Sequence, residues 1–200
     1  MNTSPSSSTM RPDDIAAAIR DLLRGRRPGG AGPVIAGDAV LVPGRSPHSA
    51  ATAVVAALDD DANPRRILPF SAIEAVRRGV PLRAVHVWTR HGRPPEGVRR
   101  CRHDRMTDAD LLLSQVLYDY LPVDEADAAE REILYDDEPV RALVELSRTS
   151  ALLVLAARGL GGAGQAVGST VRGLVGRTHC PLIVLPPVDP IVAGDPSGAW

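Results

Sequence analysis

The sequence contains no lysine; all 23 of its basic side chains are arginine. A lysine Schiff base and a phosphate-binding loop closed by lysine are therefore excluded. Cysteine is nearly absent too. Cys101 and Cys180 lie in different segments with no metal-ligand spacing around either, too few for a disulfide scaffold, so a reduced, cytoplasmic setting is expected. No apolar run reaches the length of a membrane span, and the opening MNTSPSSSTMRPDD lacks the apolar stretch of a signal peptide. The formal net charge of −1 gives no general attraction to nucleic acid or to an anionic membrane.

What remains is a chain of 200 residues, enough for one domain with a proper core plus tails. Residues 1–12 are rich in Ser, Thr and Pro and are expected to be disordered. Asp13 to Arg24 reads as a short amphipathic helix with Ile15, Ile19, Leu22 and Leu23 on one stripe, opened by acids and closed by Gly25. Arg24, Arg26 and Arg27 read as a solvated basic knot, and Pro28 to Pro33 as a linker. The domain proper is expected over 34–187, with 1–33 as an extension and the Pro/Gly-rich 188–200 as a flexible tail.

The most informative stretch is Leu152 to Pro186. Leu152 to Leu155 is an apolar run suited to a strand buried on both faces. Gly159, Gly161, Gly162, Gly164 and Gly168 follow, then Ser169 and Thr170 as helix-capping residues, then Val171, Leu174 and Val175 on one helical face. Pro181 precedes a second apolar run, Leu182 to Leu185. Strand, glycine-rich loop, helix and strand make a parallel β-α-β crossover. Glycines let backbone N–H groups turn to an anion with no Cβ in the way, which makes the loop a candidate phosphate cradle; the competing reading is a plain surface loop.

Upstream, Ala39 to Val42 (AVLV) is the better candidate for the first core strand. It runs through Pro43-Gly44-Arg45-Ser46-Pro47-His48 into an Ala/Val helix over Ala50 to Leu58. Ser46 and His48 lack an orienting acid and do not make a nucleophile-base pair. Asp59-Asp60-Asp61 reads as a solvated turn without a metal-ligand pattern, and Asn63 to Phe70 as an insertion. A helix resumes at Ser71 to Arg78, with Ile73 and Val76 facing in and Gly79 ending it. Pro81 to Trp88 is the second strand. Arg90 to Arg105 is strongly basic but has no interleaved aromatics, so nucleic acid is not an expected partner; the acidic stretch Asp124 to Glu138 can balance it. Asp108 to Tyr118 is a further helix with Leu111, Leu112 and Val116 too apolar for exposure. Ala129 to Tyr135 is a third strand polar enough for an edge, and Pro139 opens a helix that leads to the fourth.

Ala156-Ala157-Arg158-Gly159-Leu160-Gly161-Gly162, then Gly168-Ser169, then His179-Cys180-Pro181 and an apolar strand, resemble the C-terminal signature of the universal stress protein family. The resemblance extends through 139–150 and 79–88 and covers most of 40–187. It departs at Ala156, where a glycine is usual, and in the eight residues between Gly159 and Gly168, one fewer than the signature. The family's first strand usually carries an aspartate just after it, which helps hold the nucleotide; on the AVLV alignment Gly44 stands there.

The alternation of strands and helices implies a three-layer α/β sheet covered on both faces. The resemblance adds five parallel strands in the order 3-2-1-4-5. It also implies an adenine nucleotide (ATP, ADP or AMP, with magnesium as a possible companion) beyond strands 1 and 4, where the order reverses. It assigns Gly159, Gly161, Gly168, Ser169 and Thr170 to phosphates, Gly44 to the facing loop and the Val87 main chain to adenine. It further implies a homodimer through the last strand, whose apolar edge would otherwise invite unspecific pairing. No evident general base stands near the loop, so efficient turnover is not expected. The alternative is a protein-interaction module with the same fold and a vacant pocket.

Overall fold

The structure is a computed structural model that describes residues 10–26, 31–45, 52–59, 61, 63–88, 106–159 and 165–188. Ser46, His48, Asp60, Cys101, Gly161, the basic stretch 90–105 and the ends 1–9 and 189–200 lie outside the described residues.

Seven strands form one sheet: β1 (Val34–Ala36), β2 (Ala39–Val42), β3 (Val54–Ala57), β4 (Leu82–Trp88), β5 (Glu130–Tyr135), β6 (Leu152–Ala156) and β7 (Leu182–Leu185). Their order is β1-β2-β7-β6-β3-β4-β5. The pairings β7·β6, β6·β3, β3·β4 and β4·β5 are all parallel. Numbered among themselves, these five strands run 3-2-1-4-5, as expected. The sheet differs from expectation in its two added antiparallel strands.

Those two strands also correct the assignment of the first core strand. AVLV is β2, the inner arm of a hairpin with VIA, and Gly37 at φ 63° takes the left-handed position that a two-residue primed turn needs. The first parallel strand is instead VVAA, part of the Ala/Val run expected as a helix over Ala50 to Leu58. Val54 and Ala56 point to one face and Val55 to the other, and all three are fully buried. A run buried on both faces shows no alternation, and its alanines mimic a helix.

Helices cover both faces. On one lie α2 (Pro64–Arg78), α3 (Met106–Tyr120) and the short α4 (Val123–Ala128); on the other lie α1 (Pro12–Arg26), α5 (Pro139–Leu146) and α6 (Ser169–Leu174). α2 is continuous through Pro69, so the stretch Asn63 to Phe70, expected as an insertion, is the N-cap and first half of that helix. Its buried face is Ile67, Leu68, Ser71, Ala72 and Ala75, leaving Ile73 55% and Val76 81% exposed. In the second half of the helix the small Ser71, Ala72 and Ala75 take the face against the sheet, and Ile73 and Val76 are left outside. Leu111 is likewise 63% exposed, while Leu112, Leu113, Val116 and Leu117 are buried.

α1 buries Ile15, Ala16 and Ile19 in the same core as β2, β7 and α6. Arg26 is not merely solvated: its Nη1 donates to the carbonyls of Arg172 (2.7 Å) and Val175 (3.0 Å), the terminal carbonyls of α6. β2 pairs with the outer edge of β7 over Val40↔Val184, Leu41↔Ile183 and Val42↔Leu182. The edge expected to carry a homodimer is therefore occupied by the chain's own hairpin, a correction to that route. The opposite edge, β5, is polar: Arg83 on β4 donates to Glu130 (2.7 Å) and Glu132 (3.2 Å) across the ladder.

Cys180 is buried just before β7, and desolvation pushes its thiol up to about 12 from a usual 9.0. The folded chain thus keeps a proton that the unfolded chain loses above pH 9.0. Stability from this group is complete below that pH and falls as pH rises towards 12. Urea titrations from neutral to alkaline pH should show Cys180→Ala losing less stability than wild type; identical slopes would contradict this burial.

Candidate functional site

β3 ends before both of its neighbours. The ladder to β4 closes with Leu58 N–H donating to the Val85 carbonyl at 2.8 Å, and β4 runs on to Trp88. Main-chain groups of a strand alternate between its two neighbours. Asp136 N–H donates to the Trp88 carbonyl on the β5 side. Val87, with the parity of Val85, therefore turns its N–H and C=O towards the space beyond the end of β3. The side chain of His86 is buried, and its Nδ1 meets the Leu58 carbonyl at 3.0 Å. A carbonyl only accepts, so Nδ1 carries the proton.

On the other flank, β6 continues to Ala156 and then to Ala157, Arg158 and Gly159. A Cβ on Gly159 would stand 3.4 Å from Asp61 Oδ2, and one on Gly168 would stand 3.4 Å from Arg158 Cα. The two ends of the glycine-rich stretch therefore lie close to the turn after β3 and to each other. The Gly168 N–H donates to the Ala157 carbonyl at 2.7 Å. What Gly168 brings to an anion site is the missing side chain, because its donor is already used. Ser169 and Thr170 follow at the start of α6, Ser169 exposed and Thr170 half-buried. α2 and α6 cover opposite faces of the sheet, and the strand order reverses at β3 and β6; in doubly wound sheets the carboxyl ends of the strands at that reversal are where a ligand crevice lies.

The structure brings Val87, Gly159, Gly168, Ser169 and Thr170 to this end of the sheet. It takes Gly44 away. β2 is antiparallel to β7, and Val42 pairs with Leu182, the first residue of β7, so Gly44 lies at the amino-terminal end of the parallel strands. A Cβ at Gly44 would stand 2.1 Å from the His179 carbonyl oxygen, and Arg45 N–H donates to Thr178 O at 2.9 Å. Gly44 is a close-packing position and not a ligand loop.

With β3 as the first parallel strand, an acidic turn follows it directly. Asp59 stands one residue after Leu58, and Asp61 and Asn63 complete the turn that leads into α2. The sequence signal was present as an acidic triplet straight after VVAAL, ahead of Asn and Pro at a helix start. Asp61 accepts the Asn63 backbone N–H (2.8 Å) and side-chain amide (2.6 Å), so the turn is organised and not simply solvated. At the ends of β4 and β5, the rings of Trp88 and Tyr135 pack against each other with centroids 5.1 Å apart and planes tilted by 39°. Among the described residues no group of three His, Cys, Asp or Glu side chains is arranged to hold a metal ion. No helix among them is long and apolar enough to cross a membrane.

A parallel α/β sheet with a crevice at its point of reversal defines a class of ligand-binding folds. Comparison with known proteins narrows it. Residues 51–186 match the model of the universal stress protein family, and the chain belongs to that family. Universal stress proteins of Mycobacterium tuberculosis and Mycobacterium bovis are each 30% identical over 161 residues, covering 75% of this chain and 48% of theirs. The chain thus spans about half the length of these curated relatives. A universal stress protein from Archaeoglobus fulgidus superposes with a TM-score of 0.50 at 24% identity, covering 68% of this chain and 94% of that one. UspA from Lactobacillus plantarum gives 0.50 at 19% identity, covering 69% and 99%. These two structures share the fold.

Replacing Gly44 with Ala forces a methyl group into the His179 carbonyl and should destabilise the chain by about 1–3 kcal/mol or more. Thermal unfolding will read that loss, while ligand affinity of the folded fraction should stay at the wild-type value. Weakened binding at unchanged stability would return Gly44 to the site.

Proposed function

We propose that this chain is a regulatory universal stress protein that binds ATP, ADP or AMP in the crevice beyond β3. The observation that carries the reading is the main-chain parity of Val87, whose hydrogen-bonding groups face the space where β3 has stopped. A purine edge needs one donor and one acceptor side by side, which a strand residue of that parity offers. Gly159 and Gly168 leave room for phosphate oxygens to approach the backbone, and Ser169 and Thr170 supply hydroxyls. Gly161 joins them through the family signature. In place of Gly44, Asp59 takes the role that the family gives to the aspartate after its first strand. The groups present fit a nucleotide's base and phosphates; a magnesium ion would arrive on the triphosphate.

One observation favours the second reading, an interaction module with a closed pocket. The Asp61 carboxylate lies beside Gly159 and opposes a phosphate at close range. A homodimer, under either reading, has to use a surface other than the edge that β2 covers.

Isothermal titration with ATP, ADP and AMP, on protein stripped of carried-over ligand, separates the two. The nucleotide reading predicts heat with at least one of them, and at least a tenfold loss of affinity in Gly168→Val, whose branched side chain would crowd Arg158. The Gly168 backbone is extended (φ −75°, ψ 175°) and accepts any residue, so this variant should fold. No heat at high micromolar concentration would leave the interaction module standing.

A further inference from the structure

Asn63 is 6% exposed and uses every polar group it has. Its backbone N–H donates to Asp61 Oδ1 at 2.8 Å, and its carbonyl accepts from Arg66 (2.9 Å) and Ile67 (3.0 Å) at the start of α2. Its side-chain Nδ2 donates to Asp61 Oδ2 at 2.6 Å and to the Arg158 carbonyl at 3.0 Å. Its Oδ1 accepts the Val188 N–H at 2.9 Å. The three segments joined here follow β3, β6 and β7, which are distant in sequence and share only the carboxyl end of the sheet.

We infer that Asn63 is a positioning residue: a side-chain latch that fixes the segments after β3, β6 and β7 relative to one another and so sets the rim of the crevice. A primary amide suits this place because it donates twice and accepts in one plane. Its bond to the Arg158 carbonyl anchors the residue before Gly159. Its two bonds to Asp61 satisfy part of the charge of that carboxylate and tether it, which without them would stand loose beside the proposed phosphate site. Helix capping does not account for the arrangement, since the side chain makes no capping bond to α2. The consequence for ligand affinity rests on the nucleotide reading; the latch itself does not.

The test is amide hydrogen exchange on the full chain without ligand, comparing wild type with Asn63→Ser. Serine keeps a residue favoured at a helix start but cannot span to Arg158 and Val188. The latch predicts that Val188 is protected in wild type. In Asn63→Ser, exchange at Val188 and Gly168 should speed up at least about fivefold, as loss of one hydrogen bond implies, while Leu113 and Val154 keep their wild-type rates. An unprotected Val188 in wild type overturns the inference, even if the variant fails to fold. So does an equal acceleration at all four amides, which is what simple destabilisation gives. A parallel titration with ATP reads the consequence: affinity should fall at least tenfold in Asn63→Ser. Wild type binding no nucleotide would remove the proposed function and leave the exchange result to decide the latch; unchanged affinity alongside faster exchange would show that the rim does not govern binding and would overturn that half of the inference.

Discussion

The architecture depends on one short strand. β3 contributes four residues to the middle of the sheet and is hydrogen-bonded in parallel on both sides, to β4 and to β6. Its side chains are small, Val-Val-Ala-Ala, so helices can pack closely over both faces. Because it stops before its neighbours, the main chains of Val87 and Arg158 extend past it and face the gap from either side. On the β6 side, Asn63 in the turn that leads into α2 donates to the Arg158 carbonyl. A longer β3 would satisfy Val87 within the sheet and leave no crevice at the reversal of strand order.

The other edge of the sheet shows how the chain deals with exposed hydrogen-bonding groups. β7 is entirely apolar and fully covered. An uncovered strand of that composition would be a template for unspecific pairing. Here β2 pairs with it from the same chain, and α1 closes the face above, tied through Arg26 to the end of α6. Residues of α1 and β2 are thus built into the core of the domain. The free edge passes to β1, which has only three residues, a length that limits pairing.

Much of this was legible in the sequence. β4, β5, β6 and β7 fall within a residue or so of where apolar runs, prolines and glycines placed them, and the polar composition of β5 correctly marked an edge. The crossover from β6 to β7 was readable because glycine, Ser-Thr and proline punctuate it. The first strand was not. AVLV and VVAA are both short apolar runs, and sequence cannot tell a strand pairing with its neighbour in sequence from one inserted at the centre of the sheet. That single misplacement carried Gly44 into the site and hid Asp59, Asp61 and Asn63. The facing of α2 is not legible from apolarity alone: Ile73 and Val76 are more apolar than Ala72 and Ala75, yet the face that continues from the buried Ile67 and Leu68 runs through Ser71, Ala72 and Ala75. No sequence pattern announces Asn63, whose partners come from segments about a hundred residues away.

In the proposed site, ligand meets main chain in the space beyond β3. Backbone amide chemical shifts, recorded by NMR as ADP is titrated into the protein, test this directly. The prediction is saturable shifts at Val87, Gly159, Ser169 and Thr170, with Gly44 and Arg45 at the far end of the sheet unmoved. Shifts clustered at Gly44, or at the exposed faces of α2 and α3 with Val87 silent, would contradict it.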